Sequence, residues 1–292
     1  MSELGKILGR NIAFKRKALK LTQEDLAKGV GLEFPQIISS IEQGKREVSA
    51  WELVKIANFL KTSTATLLSA EEPQLIPDIL WRKIPDHEEG RKAEFIKKCL
   101  DYHELEKMNE HTKPEPFPSE KVNFDDITYT DVARMADKIS KELDLGSRPA
   151  AVLERALEDR YGVKVWYTDL GQEGSAASAY GDFGPAILMN SREAPWRRNY
   201  NFAHEVFHLV TWNSIHPSVL RSDEGLWNKV EKFADAFASY LLLPSEMLTM
   251  AFDKRVKNNK ISYTDLIEIA REFDVSTEAL LYRLSNLRRF KR

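Results

Sequence analysis

The 292-residue sequence predicts an α+β chain that is predominantly helical: a five-helix N-terminal module, then a larger domain with a small sheet and a helical C-terminal tail. Three observations carry this expectation. Apolar residues recur at helical spacing along most of the chain, three short β-type runs fall between residues 163 and 190, and residues 71–126 differ in composition from both flanks.

Composition bounds the possibilities. Apolar residues make up 42% and charged residues 30%, the mix of a globular protein with material for a core, and the length exceeds one small domain. The N-terminal "MSELGKILGRNIAFKRKALK" is interrupted by charges and no run of 18 apolar residues occurs, so neither export nor a membrane span is expected. Cys99 is the only cysteine, which excludes an intrachain disulfide and a cysteine-based zinc site and suits a reducing cytoplasm. The net charge of -2 hides an asymmetry. Residues 1–70 carry eleven Lys/Arg against seven Asp/Glu, a balance that permits contact with a polyanion without requiring it.

Taken in order, Leu4, Ile7, Leu8, Ile12 and Leu19 define a first helix. Thr22 is the N-cap of a second, with Glu24 and Asp25 in the first turn, where the helix dipole favours negative charge; Gly29 and Gly31 end it. "FPQIISSIEQGK" is a third, with Pro35 tolerated in its first turn and Gly44 as terminator. "SAWELVKIANFLK", capped by Ser49, and "TSTATLLSA" complete the module at residue 70. Residues 71–126 hold half of the chain's twelve prolines and one helix over "EEGRKAEFIKKCLDYHELEKMNEH", which predicts a connector with a helical middle. The remaining domain, 127–292, begins with two helices, "TDVARMADKISKELDL" and "RPAAVLERALEDRYG". The β-type runs "VKVWY", "AASAY" and "AILMN" follow, the last two joined by "GDFG". A helix over Asn199–Trp212, a polar loop to Gly225, the helix "LWNKVEKFADAFASYLLLP" stopped by Pro244, and a helical tail complete the chain.

Within "RRNYNFAHEVFHLVTW", His204 and His208 are four residues apart and share one helix face, so both imidazoles can aim at one point. Glu205, about 100° further round, can hold a water there without itself coordinating. This is the arrangement in which a His pair binds Zn²⁺ and the adjacent carboxylate is the general base. The alternative is two partly buried histidines with the glutamate in solvent. The extended three-histidine motif fails, since Thr211 stands in place of its glycine and Ser214 in place of its third histidine, so a third ligand must come from elsewhere. On the later helix, Val230, Phe233, Ala234, Phe237 and Leu241 form an apolar stripe bordered by Glu231 and Asp235. Glu231 is assigned as the third ligand and Asp235 as the acceptor that fixes a histidine tautomer; the alternative is ordinary ion pairing with Lys229 or Lys232. Such a set would also accept other divalent ions. Tyr180, His216 and Arg197 are candidates for stabilising an oxyanion, and the "AILMN" strand is a candidate for binding an extended peptide by edge pairing.

"NFAHEVFHLV" followed by "EKFADAFASYLLLP" resembles the ImmA/IrrE family of zinc metallopeptidases, over about residues 145–285. The resemblance implies a zincin-like fold with His204, His208 and Glu231 as ligands and Glu205 as base. Phe207 departs from the family's common glycine and is expected to narrow the cleft. The run "LTQEDLAKGVGLEFPQIISSIEQGKREVSAWELVKIANFL" resembles the XRE class of helix-turn-helix domains, from residue 4 to 69. That resemblance implies a third helix lying in the major groove of double-stranded DNA, with Gln36 and Ser39 toward base edges and Gln23, Ser40, Lys45 and Arg46 toward phosphates. Glu33 and Phe34 depart from the small or polar residues usual there. A single module binds weakly, so pairing into a homodimer on a two-fold operator is expected.

The combined expectation is a cytoplasmic DNA-binding regulator fused to a zinc metallopeptidase acting on a protein partner such as a repressor or antitoxin. Two alternatives remain: a transcription factor whose zinc domain senses a ligand without cleaving anything, and an adaptor with both sites vestigial.

Overall fold

The computed structural model describes residues 3–19, 21–60, 62, 64–70, 79–109, 114–172, 174–215 and 217–289, and the chain divides into two compact units, 1–76 and 77–292. In the first unit the helical periodicity becomes five helices: α1 (Glu3–Ala18), α2 (Gln23–Val30), α3 (Pro35–Glu42), α4 (Ala50–Phe59) and α5 (Thr64–Leu68). Their starts follow from local chemistry. Thr22 accepts from the Asp25 amide while Asp25 accepts from the Thr22 amide, and Ser49 and Glu52 repeat the arrangement at α4. Pro35 is the first residue of α3, where its missing N–H costs nothing. Leu8, Ile12, Leu26, Val30, Ile38, Ile41, Ile56, Leu60 and Leu67 form one aliphatic core. Gly31 caps α2 in the left-handed conformation at φ 75°. Gly29, expected as a terminator, instead lies inside α2: a Cβ there would meet the Phe59 ring at 1.9 Å, so glycine is required by the approach of α4.

The second unit is built on a four-stranded sheet of β1 (Ile79–Trp81), β2 (Lys164–Thr168), β3 (Ala176–Gly181) and β4 (Gly184–Asn190), in the order β1-β3-β4-β2. β3 and β4 form a hairpin, β2 runs parallel to β4, and β1 pairs antiparallel with β3 in the register Ile79↔Ala179, Trp81↔Ala177. The helices are α6 (Glu88–Met108), α7 (Tyr129–Glu142), α8 (Pro149–Tyr161), α9 (Pro195–Val210), α10 (Pro217–Ser222), α11 (Glu224–Leu242), α12 (Ser245–Asp253), α13 (Tyr263–Glu272) and α14 (Thr277–Asn286). Strand alternation sorts side chains to two faces. Ala176, Ile187 and Met189 join the large core with α9, whereas Ala177, Ala179, Ala186 and Leu188 join a smaller cluster with Phe95, Ile96 and Cys99 of α6. Burial pushes the Cys99 thiol up to about 12, so it is inert as a nucleophile.

Three expectations are corrected. Residues 79–108, read as connector, supply an edge strand and a helix packed against the sheet. The polar loop before Gly225 contains α10. The "AILMN" strand, β4, is flanked by β3 and β2, so it has no free edge to offer a peptide. Pro73 and Pro77 lie outside the described residues. Among those described, no helix is long and apolar enough to cross a membrane.

Candidate metal centre and nucleic-acid interface

Pro195 opens α9, and every residue from Asn201 to Val210 is buried. That part of the helix is core on all sides, and the polar groups it carries must find partners within the protein. α11 starts where the Asp223 side chain accepts from the Leu226 amide and packs along α9. Its apolar stripe, Val230, Phe233, Ala234, Phe237 and Leu241, is buried as the spacing predicts. The small Ala234 and Ala238 let the helices approach, which brings Glu231 to the face that bears the histidines.

The convergence is tight. His204 Nε2 lies 3.2 Å from His208 Nε2 and 3.3 Å from Glu231 Oε2, and His208 Nε2 lies 3.1 Å from Glu231 Oε1. The two imidazoles are buried and the Glu231 side chain is 19% exposed. His204 Nδ1 lies 2.9 Å from Asp235 Oδ1. An ionised carboxylate can only accept, so Nδ1 carries the proton and Nε2 is the nitrogen with a lone pair for a ligand. Glu205 is fully buried, and both of its oxygens lack a hydrogen-bond partner.

The electrostatics follow from burial and these contacts. Complete burial pushes the Glu205 carboxyl up, with His208 and His204 pulling against it. Burial would raise Glu231 as well, but the two imidazoles outweigh it and hold that carboxyl far below the usual range. For Asp235, burial is likewise outweighed, by His204 and Arg82, and its pKa is lowered. Burial and Arg82 oppose protonation of His204, yet Asp235 and Glu231 win and raise its pKa.

The donor set fits a divalent cation. Two imidazole nitrogens and one carboxylate are the protein ligands of an open catalytic zinc site, which keeps a further position for water. His204, His208 and Glu231 also form a group whose ligand atoms all lie within 4.8 Å of one another.

The other expected residues divide. Phe207 does not narrow the cleft: its ring is fully buried against Phe124 and Phe237. Arg197 is largely exposed and paired with Glu193, and Tyr180 packs against Trp212. His216 lies outside the described residues. Three groups were not foreseen. Trp227 stacks parallel to His208, with ring centroids 6.4 Å apart. Tyr200 donates to the Asp235 carbonyl at 2.7 Å, and Arg82 donates to Asp235 Oδ1 at 2.9 Å. Trp227 and Tyr200 each lie four residues from an assigned ligand, a spacing that would have found them on the same helix faces; Arg82 had no such signal.

In the first unit, Gln36 is exposed at the start of α3, and Ser39 accepts from Gln43 at 3.1 Å. Ser40 lies in the last turn of α3, its carbonyl accepting from the Lys45 and Arg46 amides of the segment that follows. Lys45 is exposed and donates to Gln43. Gln23 donates to Glu42 at 2.7 Å and Arg46 to Glu52 at 2.7 Å, so both are held by carboxylates. Glu33 and Phe34 are exposed before α3.

Comparison with known proteins divides the chain the same way. Residues 12–67 match the helix-turn-helix family model, and residues 158–285 match that of the IrrE N-terminal-like domain, a peptidase family. No curated protein matches the chain. Among solved structures, a Mycobacterium tuberculosis transcriptional regulator aligns at 22% identity and a TM-score of 0.40, over 53% of this chain and 47% of that one. The chain therefore spans about half the length of that structure.

Proposed function

From a chain that joins a helix-turn-helix domain to an IrrE N-terminal-like domain, we propose a DNA-binding regulator whose second unit is a metal-dependent peptidase acting on a protein partner, such as a repressor or antitoxin. One observation carries this reading: His204, His208 and Glu231 converge within 3.3 Å beside a Glu205 carboxylate that is wholly buried and has no partner. Burying an unpaired carboxylate is unfavourable, and a purely structural core would not hold one.

His204 Nε2, His208 Nε2 and a Glu231 oxygen would hold the ion, and Asp235 keeps His204 in the tautomer that allows it. A cation of the zinc type, when bound, supplies Lewis acidity toward a carbonyl oxygen and makes water more acidic. Glu205 does the proton transfer. Its carboxylate accepts a proton from the attacking water as the new C–O bond forms at the peptide carbon, then returns a proton to the amide nitrogen as the C–N bond breaks. Burial favours this role, since a carboxyl raised above its usual range is a stronger base when ionised. Trp227 walls the His208 side of the site.

In the first unit, the exposed Gln36 and its neighbour Ser39 on α3 would read base edges, and the exposed Lys45 would meet a phosphate. One module of this size binds weakly, so two copies would act on a two-fold operator. The test is Glu205→Gln in the full chain, assayed against co-expressed candidate partners. Cleavage by the parent and none by the metal-loaded variant supports the reading. A variant that regulates like the parent while retaining its metal refutes catalysis as the role of this site.

A further inference from the structure

Asp235, the residue that orients His204, is a poor anchor by itself. Its side chain is 49% exposed, so water competes for the oxygens that hold Nδ1–H. The structure supplies a second hold. Arg82 Nη2 donates to Asp235 Oδ1 at 2.9 Å, the same oxygen that accepts from His204 Nδ1 at 2.9 Å. One oxygen thus receives two donors, from a guanidinium and an imidazole, and cannot turn to solvent without losing both.

Arg82 is itself well fixed. Its amide donates to the Ala176 carbonyl at 3.0 Å, extending the β1–β3 ladder one residue beyond Trp81. Side chains alternate along a strand. Ile79 and Trp81 face the α6 cluster, whereas Leu80 faces the large core that contains α9, and Arg82 continues on that side. The side chain is only 21% exposed, and the guanidinium lies 5.7 Å from the Tyr200 ring centroid. Tyr200 in turn donates to the Asp235 carbonyl at 2.7 Å. Side chain and backbone of Asp235 are therefore both tied to groups outside α11. Arg82 lies well upstream of residues 158–285, so this hold comes from outside the family-matched span.

We propose that Arg82 is a positioning residue of the metal site: through Asp235 it fixes the ring orientation and tautomer of His204, and so sets how tightly a divalent cation is held. The inference rests on the metal-site reading above. It concerns metal affinity, which can be measured without a substrate.

The experiment uses the full chain, stripped of metal, with Zn²⁺ affinity measured by competition against a chromophoric chelator. Arg82→Ala and Arg82→Gln are each expected to weaken Zn²⁺ binding by about 10- to 100-fold, the usual effect of removing a group that orients a ligand. Arg82→Lys, which keeps a donor and a charge, is expected to recover part of that loss. In an Asp235→Ala background, Arg82→Gln should add little, because the two act in series. Co²⁺ in place of Zn²⁺ should give an altered ligand-field spectrum in Arg82→Gln, while the melting temperature of the metal-free protein stays near the parent's. Parent-like affinity in Arg82→Gln, or effects of Arg82 and Asp235 that simply add, would overturn the proposal while leaving the metal site intact. A parent chain that binds no Zn²⁺ would instead overturn the site reading, and this proposal with it.

Discussion

Both units bury charged and polar side chains, but they treat them differently. In the first, Arg16 donates to both Glu42 oxygens, at 2.6 and 3.0 Å, and to the Leu21 carbonyl, while Gln23 supplies Glu42 with a further donor. Asn11 donates to the Leu67 and Ser69 carbonyls. These groups close the turns between helices. In the second, His204, Glu205 and His208 are buried among the residues of the largest core, and both carboxylate oxygens of Glu205 are buried without a partner. A buried charge with all its partners inside the protein is architecture; one with vacant acceptors is kept for something from outside.

That contrast can be broken in several ways, beginning with the largest effect. His208→Ala should abolish stoichiometric metal in the purified protein, read by elemental analysis, because two remaining donors make a poor catalytic site; full occupancy in the variant would show that the ion sits elsewhere. If the second unit is the proposed peptidase, Glu205→Gln should keep the metal and lower peptide hydrolysis by about 10²- to 10⁴-fold, the range for a lost proton-transfer group. The same variant should leave the metal-free melting temperature unchanged or raised, since a buried carboxylate is replaced by a neutral amide. A marked fall would make Glu205 part of the scaffold.

In the first unit the opposite pattern is expected. Arg16→Ala removes the charged partner of the nearly buried Glu42 and leaves it only the neutral Gln23 donor, which should cost about 3 kcal/mol in chemical denaturation, as for other broken buried pairs. Metal content should not change. Thr22→Ala should cost about 1 kcal/mol through loss of the α2 cap. Asp25 sharpens the last case: hydrogen bonds from Thr22 lower its pKa, so its contribution is present above the ordinary carboxylate range and lost as pH falls through the lowered value. A melt of the parent against pH should show that loss only on the acid side, and Thr22→Ala should diminish it.

How much of this was legible from the sequence depends on the range of each interaction. His204 and His208 are placed together by helix pitch alone, and the α2 and α4 caps by contacts three residues long. Glu231 and Asp235 were also within reach, because the apolar stripe of α11 shows which of its sides is buried. β1 and Arg82 were not. A three-residue strand between prolines has no periodicity to detect, and its place is fixed by pairing with β3, nearly a hundred residues later. Phe207 misled for a related reason: its neighbour lines the site, but its own side chain turns into the core with Phe237. The interior position of β4 was hidden because the order of strands in a sheet is a tertiary property.

β1 has another consequence, for solubility. Antiparallel pairing satisfies the β3 backbone along Ala177–Ala179, an alanine-rich run with little bulk or charge to discourage a neighbour. A fragment beginning at residue 127 would lose that cover and present a bare row of amides and carbonyls, a template for joining one molecule to the next. Such a fragment should self-associate at concentrations where the whole chain does not, and proteolytic nicking ahead of α7 would push the protein toward aggregation as well as removing Arg82.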